Sequence, residues 1–468
     1  MRRYVPRGAA STRAAAEPRH VWVKIDSMDL DGQGVGRDEE GRVVFAEGAL
    51  PGEEVKVLVE RTKARWSRGE AVEWRHESAM RVTPRCPHFG TCGGCRTQHF
   101  DADAQLAVKQ RALEDSLAHV GNVKPAMVLR PIAGSSWGYR HRARLSLFYL
   151  EHEHRMLVGF HSRKSSHVEG LSTCPVMPDA VSRLLVPLAE LVNGMALRQQ
   201  LPQIEVAVGA RVLVLVLRHL QPLPAGDLAR LREFASAHGV QWWLQPGGPQ
   251  TAHPLNAQEA VKLPLDYELP EFGVCMPFRP TNFTQVNPHT NAALVGRALG
   301  LLAPQAHERV IDWFCGLGNF SLPIARSARE VLGVEGSGSL VEQAAANAAL
   351  HGLQGRTSFR EANLFEVDLD SLLAFGPAEK WLVDPPRDGC FALVKALADW
   401  HERAPALPPG MQPPSRIVYV SCDPSTLARD AGLLVHRAGY DCHAAGVVNM
   451  FPHTAHVESV AVFERRVG

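Results

Sequence analysis

Nowhere in the 468 residues do apolar side chains run for the ~18 to 20 positions that a membrane helix needs. The start, Met1 to Arg19, mixes arginine and alanine but has no apolar stretch of the signal-peptide kind, so a cytoplasmic protein is expected. Net charge is nearly absent too, with 50 Lys and Arg against 49 Asp and Glu. No internal repeat is visible. Cysteine is scarce and odd in number, nine in all, which argues against a disulfide frame and for free thiols, metal ligands or nucleophiles. Composition is otherwise ordinary, 45% hydrophobic and 21% charged, which excludes disorder, collagen and coiled coil. Length alone predicts about three domains.

What is there is unevenly placed. Residues 1–170 carry 27 basic and 21 acidic side chains, and residues 171–468 carry 23 and 28, so the first third leans toward polyanions such as RNA. Residues 1–19 read as a disordered basic tail. From Val21 to about His76, short alternating stretches (Val21, Val23, Ile25; Val43 to Phe45; Val55, Val57, Val59) are separated by glycine turns, the pattern of a small β-barrel. A cysteine-bearing loop follows, then a helix over 101–120 and a β-rich stretch to about Asp266. In the last part, strand runs (Arg309 to Phe314, Glu330 to Val334, Lys380 to Val383, Ile417 to Ser421) alternate with helices, the signature of a doubly wound α/β sheet. Pro405 to Pro414 reads as a proline-rich surface loop.

The chemistry sits at the ends of those runs. Gly316 and Gly318 open a helix after a buried strand, and Glu335 ends the next strand 23 residues after Asp312, where a carboxylate can accept both ribose hydroxyls. NAD and S-adenosylmethionine both fit; the third glycine of the dinucleotide fingerprint is missing, which favours a cofactor without pyrophosphate. Asn363 is either an adenine contact or a turn asparagine. Cys422 ends a buried strand and precedes Pro424 at a helix start, a place for a nucleophile, although buried inert cysteine is the commoner fate of the residue. Asp384, fixed by Pro385 and Pro386, ends another strand. His453, His456 and Glu458 are candidate proton acceptors. Cys86, Cys92 and Cys95, with Cys174 as the natural fourth thiol, suggest an iron–sulfur cluster, with zinc as the runner-up because only one Cys-x-x-Cys knuckle is present. Tyr139 to Arg144 in a strand would set Arg140, Arg142 and Arg144 on one face, near His161, Arg163 and Lys164, where they could meet phosphates; a merely solvated face is the alternative.

Taken together these motifs resemble the RNA uracil-C5 methyltransferases, and within them the iron–sulfur-containing bacterial enzymes that act on 23S ribosomal RNA. The resemblance covers nearly the whole chain after the tail. Val21 to Gly36 is similar to the family's TRAM domain, an oligonucleotide-binding-type barrel. Phe283-Thr-Gln285-Val-Asn287 is similar to the segment that opens the catalytic domain. The resemblance implies an OB-like TRAM barrel over 20–78, a central β-rich domain over 79–272 carrying a [4Fe–4S] cluster on Cys86, Cys92, Cys95 and Cys174, with helix 101–120 against the catalytic domain, and an α/β class I, Rossmann-like methyltransferase domain over 273–468. It implies S-adenosylmethionine contacts at Gln285, Phe314, Asn319, Glu335, Asn363 and Asp384. Cys422 would add to C6 of a single-stranded or loop uridine, and Glu458 would remove the C5 proton. No membrane and no DNA partner are expected, and a monomer is. The alternatives are C5 methylation of another RNA, a base N-methyltransferase suggested by Asp384-Pro-Pro-Arg, or a ribosome-assembly factor without chemistry.

Overall fold

The computed structural model describes residues 19–404, 407–408 and 410–466. The expected basic tail up to position 18 lies outside the described residues, as do Pro405, Ala406 and Pro409 of the expected proline-rich loop. Among the described residues no helix is long and apolar enough to cross a membrane. Two compact units result: one ends at Thr83 and takes in His99–Asp101, the other comprises Pro84–Gln98 and the chain from Ala102 onward.

In the first unit five strands, His20–Met28, Gln33–Arg37, Val43–Glu47, Trp66–His76 and Glu54–Thr62, close in that order into a barrel. Period-two burial of Val23 and Ile25, Val44 and Ala46, and Val55 and Val57 fills the interior. Gly36 is required at its strand crossing, because a Cβ there would stand 2.1 Å from the Lys24 carbonyl oxygen. Glu53, fully buried, is the polar exception. Burial alone would raise its pKa, but Arg81 and the amides of Leu50 and Ser78 outweigh that and hold the carboxyl below its ordinary value.

The second unit holds two sheets. The first has seven strands, in the order His253–Pro254, Val240–Gln245, Leu213–Arg218, Gln203–Val208, Arg142–Leu150, Arg155–His161, Val168–Gly170. The second has eight, in the order Thr357–Glu361, Glu330–Glu335, Arg309–Trp313, Lys380–Val383, Arg416–Ser421, Glu458–Arg465, Tyr440–Val448, Met127–Val128. Its first five strands run parallel, and Glu458–Arg465 runs against them. The two sheets belong to one unit because a continuous apolar core joins Val212, Val214 and Val216 of the first to Leu294, Val310 and Val418 around the second. Trp313, the last residue of the strand before the glycine turn, is fully buried and stacks edge-on against Phe375 and Trp381 at 5.1 Å each.

The helix Ala102–His119 packs on the helix Pro424–His436 that follows Cys422. The approach is close just past its end: a Cβ on Gly121 would come within 2.3 Å of the Ala428 carbonyl oxygen. Gly121→Ala is therefore expected to push the two helices apart at a cost of about 1–3 kcal/mol, read as a lowered midpoint in urea unfolding. An unchanged midpoint would show that the contact gives way freely.

Candidate active site

Chain order in the eight-stranded sheet reverses between Arg309–Trp313 and Lys380–Val383, the place where open α/β sheets bind ligands beyond the carboxyl ends of their strands. Trp313 pairs with Val383, so Phe314 and Asp384 are the first residues past the reversal. The Asp384 amide donates to the Trp313 carbonyl at 3.3 Å. Phe314 has φ +63°, a left-handed conformation that costs a bulky side chain of order 1–3 kcal/mol and gathers at functional sites. Its ring meets Phe365 edge-on at 5.9 Å.

The glycine turn behind Phe314 is ordered by the acid on the next strand. Glu335 accepts from the Gly316 amide and the Ser337 amide, each at 3.1 Å, so its carboxylate is fixed at the strand end. Gly318, at φ +91°, has no room for a Cβ, which would meet Leu322 at 2.4 Å. Asn319 does not offer a free side chain: its Oδ1 accepts from Tyr267 and Asn291 at 2.9 Å each, and its Nδ2 donates to Asn291 at 3.1 Å. Asn363 is exposed, and its Oδ1 accepts from the Phe365 amide at 3.1 Å, a local turn that leaves its Nδ2 uncommitted to that bond. Gln285 lies in the wall of a cavity of about 420 Å³ with Arg142, Tyr267, His289 and Asn291. Tyr267 and Asn291 tie that wall to Asn319 and hence to the glycine turn.

Cys422 and Glu458 come together through strand register. Ser421 pairs with Ser459 across antiparallel strands, which makes Cys422 and Glu458 the next positions outward at the same sheet edge. Glu458 is buried, and burial followed by the charge of Asp384 holds its carboxyl well above the ordinary range. Burial raises Asp384 to about 7. Burial also pushes the half-buried Cys422 thiol up to about 11; Glu458 and Asp384 add to the rise, and Arg387 opposes it. Asp423 turns away to cap the helix Pro424–His436, accepting from the Ser425 and Thr426 amides. Arg387 donates Nη2–H to His456 Nδ1 at 2.7 Å. Burial, then Arg387, depresses His456 to about 4, so at neutral pH its ring accepts that bond uncharged. Arg387 is thus the cation beside the thiol, a role its place in Asp384-Pro-Pro-Arg387 hinted at but did not assign.

Cys86, Cys92, Cys95 and Cys174 are free thiols, all raised by burial; Cys86 adds to the rise of Cys92, Cys92 and Cys86 to that of Cys95, to about 11, and Cys95 and Cys86 to that of Cys174, to about 12. Among the described residues, however, no group of three or more His, Cys, Asp or Glu side chains is set to hold a metal ion. The arginine stripe needs correction. The strand starts at Arg142, beyond Arg140. Arg142 is turned inward, donating to the Pro280 and Asn282 carbonyls at 2.6 and 3.0 Å, and exposed Arg144 pairs with Glu205 at 3.0 Å. His453 is no free proton acceptor either, since it is buried against Trp137 with ring centres 4.4 Å apart.

Comparison with known proteins follows the same lines. The family model described as tRNA (Uracil-5-)-methyltransferase matches residues 101–466, and the TRAM domain model matches residues 19–72. The chain is 56% identical to the 23S rRNA (uracil(1939)-C(5))-methyltransferase RlmD of Acidovorax sp. (strain JS42), over 95% of this chain and 96% of that protein. It is 53% identical to the RlmD of Burkholderia thailandensis over 97% of each. Among solved structures, the Pyrococcus abyssi tRNA (uracil-54, C5)-methyltransferase, in complex with S-adenosyl-L-homocysteine, shares the fold at a TM-score of 0.69 and 23% identity, over 95% of this chain and 99% of that one.

With its pKa near 11, the Cys422 thiol should react only through a small thiolate fraction at neutral pH. Its alkylation by iodoacetamide, followed by mass spectrometry of the peptide that contains it, is expected to rise about tenfold per pH unit from 7 to 9. Arg387→Ala should slow it further at each pH. A rate already level at pH 7 would contradict this electrostatic picture.

Proposed function

The chain belongs to the tRNA (uracil-5-)-methyltransferase family, and from that premise we propose that it methylates C5 of a uridine in 23S ribosomal RNA, with Cys422 as nucleophile and Glu458 as general base. The observation that carries this reading is the register that sets a thiol and a buried carboxyl side by side at the switch edge of the sheet. A base N-methyltransferase has no use for that thiol. High identity to enzymes named for 23S ribosomal RNA favours that substrate over another RNA.

Uracil C5 is a weak nucleophile, so the enzyme must first raise its electron density. Attack of Cys422 Sγ on C6 does so, placing negative charge on the C4 oxygen and nucleophilic character on C5. S-adenosylmethionine, when bound, supplies the electrophilic methyl group. The glycine turn Gly316–Gly318 permits close backbone approach to it, Glu335 is fixed for ribose hydroxyls, and Phe314 with Phe365 forms an aromatic shelf. Gln285 would contact the same ligand from the adjoining cavity, while Asn319 would act by holding the turn through Tyr267 and Asn291. Asn363 keeps only its Nδ2 for an adenine edge. Asp384 would orient a polar edge beyond its strand.

Once C5 carries both its proton and the methyl group, Glu458 takes the proton, and the C5–H electron pair re-forms the C5=C6 double bond as the Cys422 thiolate leaves C6. To act here the carboxyl must be ionised, which burial disfavours, and once ionised its raised pKa makes it a stronger base toward a carbon-bound proton. Before attack the thiol must lose its own proton, and the Arg387 guanidinium, aimed by uncharged His456, is the nearby group that favours the resulting charge. Reaching C6 requires the uridine to leave its stack, which favours a single-stranded or loop target.

Cys86, Cys92, Cys95 and Cys174 are proposed as ligands of a [4Fe–4S] cluster. All four are sulfur donors; Cys86 acts on the pKa of each of the other three, and Cys92, Cys95 and Cys174 lie in or against one apolar core with Tyr139, Val176 and Met177. A cluster there would cross-link the loop 86–95 to the segment at 174 and takes no part in methyl transfer.

Three outcomes test these assignments. Cys422→Ala should lose both methylation of ribosomal RNA and covalent trapping of 5-fluorouridine RNA, and survival of either would remove the nucleophile. Glu458→Gln should still add to RNA yet turn over about 10²–10⁴-fold more slowly, so that a covalent adduct with ordinary uridine accumulates on denaturing gels. Anaerobically purified protein should be brown, absorb broadly near ~400 nm and hold about four iron atoms, losing both features on Cys86→Ser; a colourless preparation with about one zinc would favour the runner-up.

A further inference from the structure

The segment Asn449–His456, which delivers Glu458 to the sheet edge, is held by residues from the opposite end of the chain. Gln105, 5% exposed, accepts the His453 amide at Oε1 over 3.0 Å and donates from Nε2 to His453 Nδ1 at 3.1 Å and to the Thr97 carbonyl at 2.9 Å. Both the oxygen and the nitrogen of that amide are thus bonded to the segment, and the nitrogen to the loop end as well. One turn along the same helix, Lys109, 4% exposed, donates Nζ–H to the Phe451 carbonyl at 2.7 Å and to Asn449 Oδ1 at 3.3 Å. The Arg96 and Thr97 amides donate to the His453 carbonyl at 2.7 and 3.4 Å, and Tyr139 Oη donates to the Pro452 carbonyl at 2.9 Å. Arg96 directly follows Cys95.

His453 itself has φ +63°. A non-glycine residue stays in that region only where its surroundings over-determine it. Here they do, with Trp137 stacked on the ring and Gln105 on both its edge and its amide. Burial lowers His453 to about 4 and Lys109 to about 8, so the ring is a neutral acceptor at neutral pH and both side chains sit away from bulk solvent. Nothing in the chemistry of uracil methylation calls for a buried lysine on carbonyl oxygens. The geometry points to another task.

We infer that Gln105 and Lys109, with the amides that follow Cys95, are positioning residues that fix the segment 449–456 and thereby set Glu458 and His456, making the cysteine loop and the reaction centre one mechanical unit. The inference rests on the methyl-transfer reading for its catalytic consequence and on hydrogen bonds for its mechanical one. A displacement of about 1 Å at a reacting group costs up to ~10²-fold in rate. Loss of the clamp should therefore lower the rate of the step that uses Glu458 and leave RNA and cofactor binding nearly as they were.

Gln105→Met and Lys109→Met, close in volume and without hydrogen bonds, test this in the full-length protein. Leu113→Val, which thins packing on the same helix without removing a hydrogen bond to the segment, is the stability-matched control. Single-turnover methylation is expected to fall at least about tenfold in both methionine variants, with KM values within about twofold, while the control keeps the wild-type rate. Hydrogen exchange of the amides in 449–457 should speed up in the methionine variants, and also in Cys86→Ser, through Arg96 and Thr97. Folded methionine variants with wild-type rates and wild-type exchange would overturn the clamp, as would an equal loss of rate in the control. Faster exchange in 86–95 but not in 449–457 for Cys86→Ser would overturn the coupling. An inactive wild-type protein would instead remove the methyl-transfer reading, and the exchange contrast would still decide the clamp.

Discussion

Pairing of Ser421 with Ser459 is the constraint on which the reaction centre depends. A purely parallel sheet would bring only strand ends of one kind to the switch edge. Because Glu458–Arg465 runs against its neighbour, the beginning of that strand meets the end of Arg416–Ser421, and a residue distant in sequence from Cys422 becomes its lateral neighbour. Since side chains alternate along a strand, a one-residue slip would turn Glu458 to the other face of the sheet. Both faces of the strand are packed, Val460 and Val462 on one and Ala461 and Phe463 on the other, so a slip would force each side chain into a space shaped for its neighbour, and packing on both faces resists it. Hydrophobic packing several residues away thus fixes where the carboxyl stands.

That closeness has an electrostatic consequence. Asp312, Asp384 and Glu458 are all raised by burial, Asp312 to about 8 despite its hydrogen bond from Ser321, and Asp384 raises both of the others. Cys422 shares the field of two of them. A low-dielectric pocket of this kind accommodates few negative charges at once, so its protons are shared among the groups rather than owned by one. Arg387 is the visible counterweight, and it is oriented by a histidine that burial keeps neutral. If His456 were protonated it would lose the lone pair that accepts from Arg387 and would set a second cation against it. Neutral His456 and charged Arg387 require each other.

Much of this architecture is legible in the sequence because it rests on local patterns. Alternating valines with glycine turns gave away the barrel, buried strand runs the doubly wound sheet, and Gly316, Gly318, Glu335, Asp384 and Cys422 are read from their places at strand ends. What fails is whatever depends on a distant partner. Arg142 has the period of an exposed stripe, but its guanidinium is taken by the Pro280 and Asn282 carbonyls. The bonds of Asn319 to Tyr267 and Asn291 are equally invisible, since both partners come from other elements. Lys109 and Arg81 count toward the basic first third although one is buried on carbonyls and the other on Glu53, so the charge free to meet RNA is smaller than counting suggests. Gln105 and Lys109 carry no signal at all, since their partners in the segment 449–456 lie 340 or more residues away.

The distance of those partners also explains why a helix from the first third is built into the catalytic sheet's surroundings. A strand that runs against its neighbours must be approached by a connection that turns back over the sheet edge, and here that connection spans Asn449–Val457. Its carbonyls at Phe451, Pro452 and His453 have no strand to pair with. Water could satisfy them, but water at this edge would raise the local dielectric and weaken the field that tunes Cys422 and Glu458. Lys109, Tyr139 and the Arg96 amide satisfy the same carbonyls directly, and Gly121 lets the chain just past the helix that carries Lys109 approach the helix Pro424–His436. The left-handed turn at His453 is the conformational cost of that closure, and the Gln105 amide, bonded on both its oxygen and its nitrogen, is what offsets it.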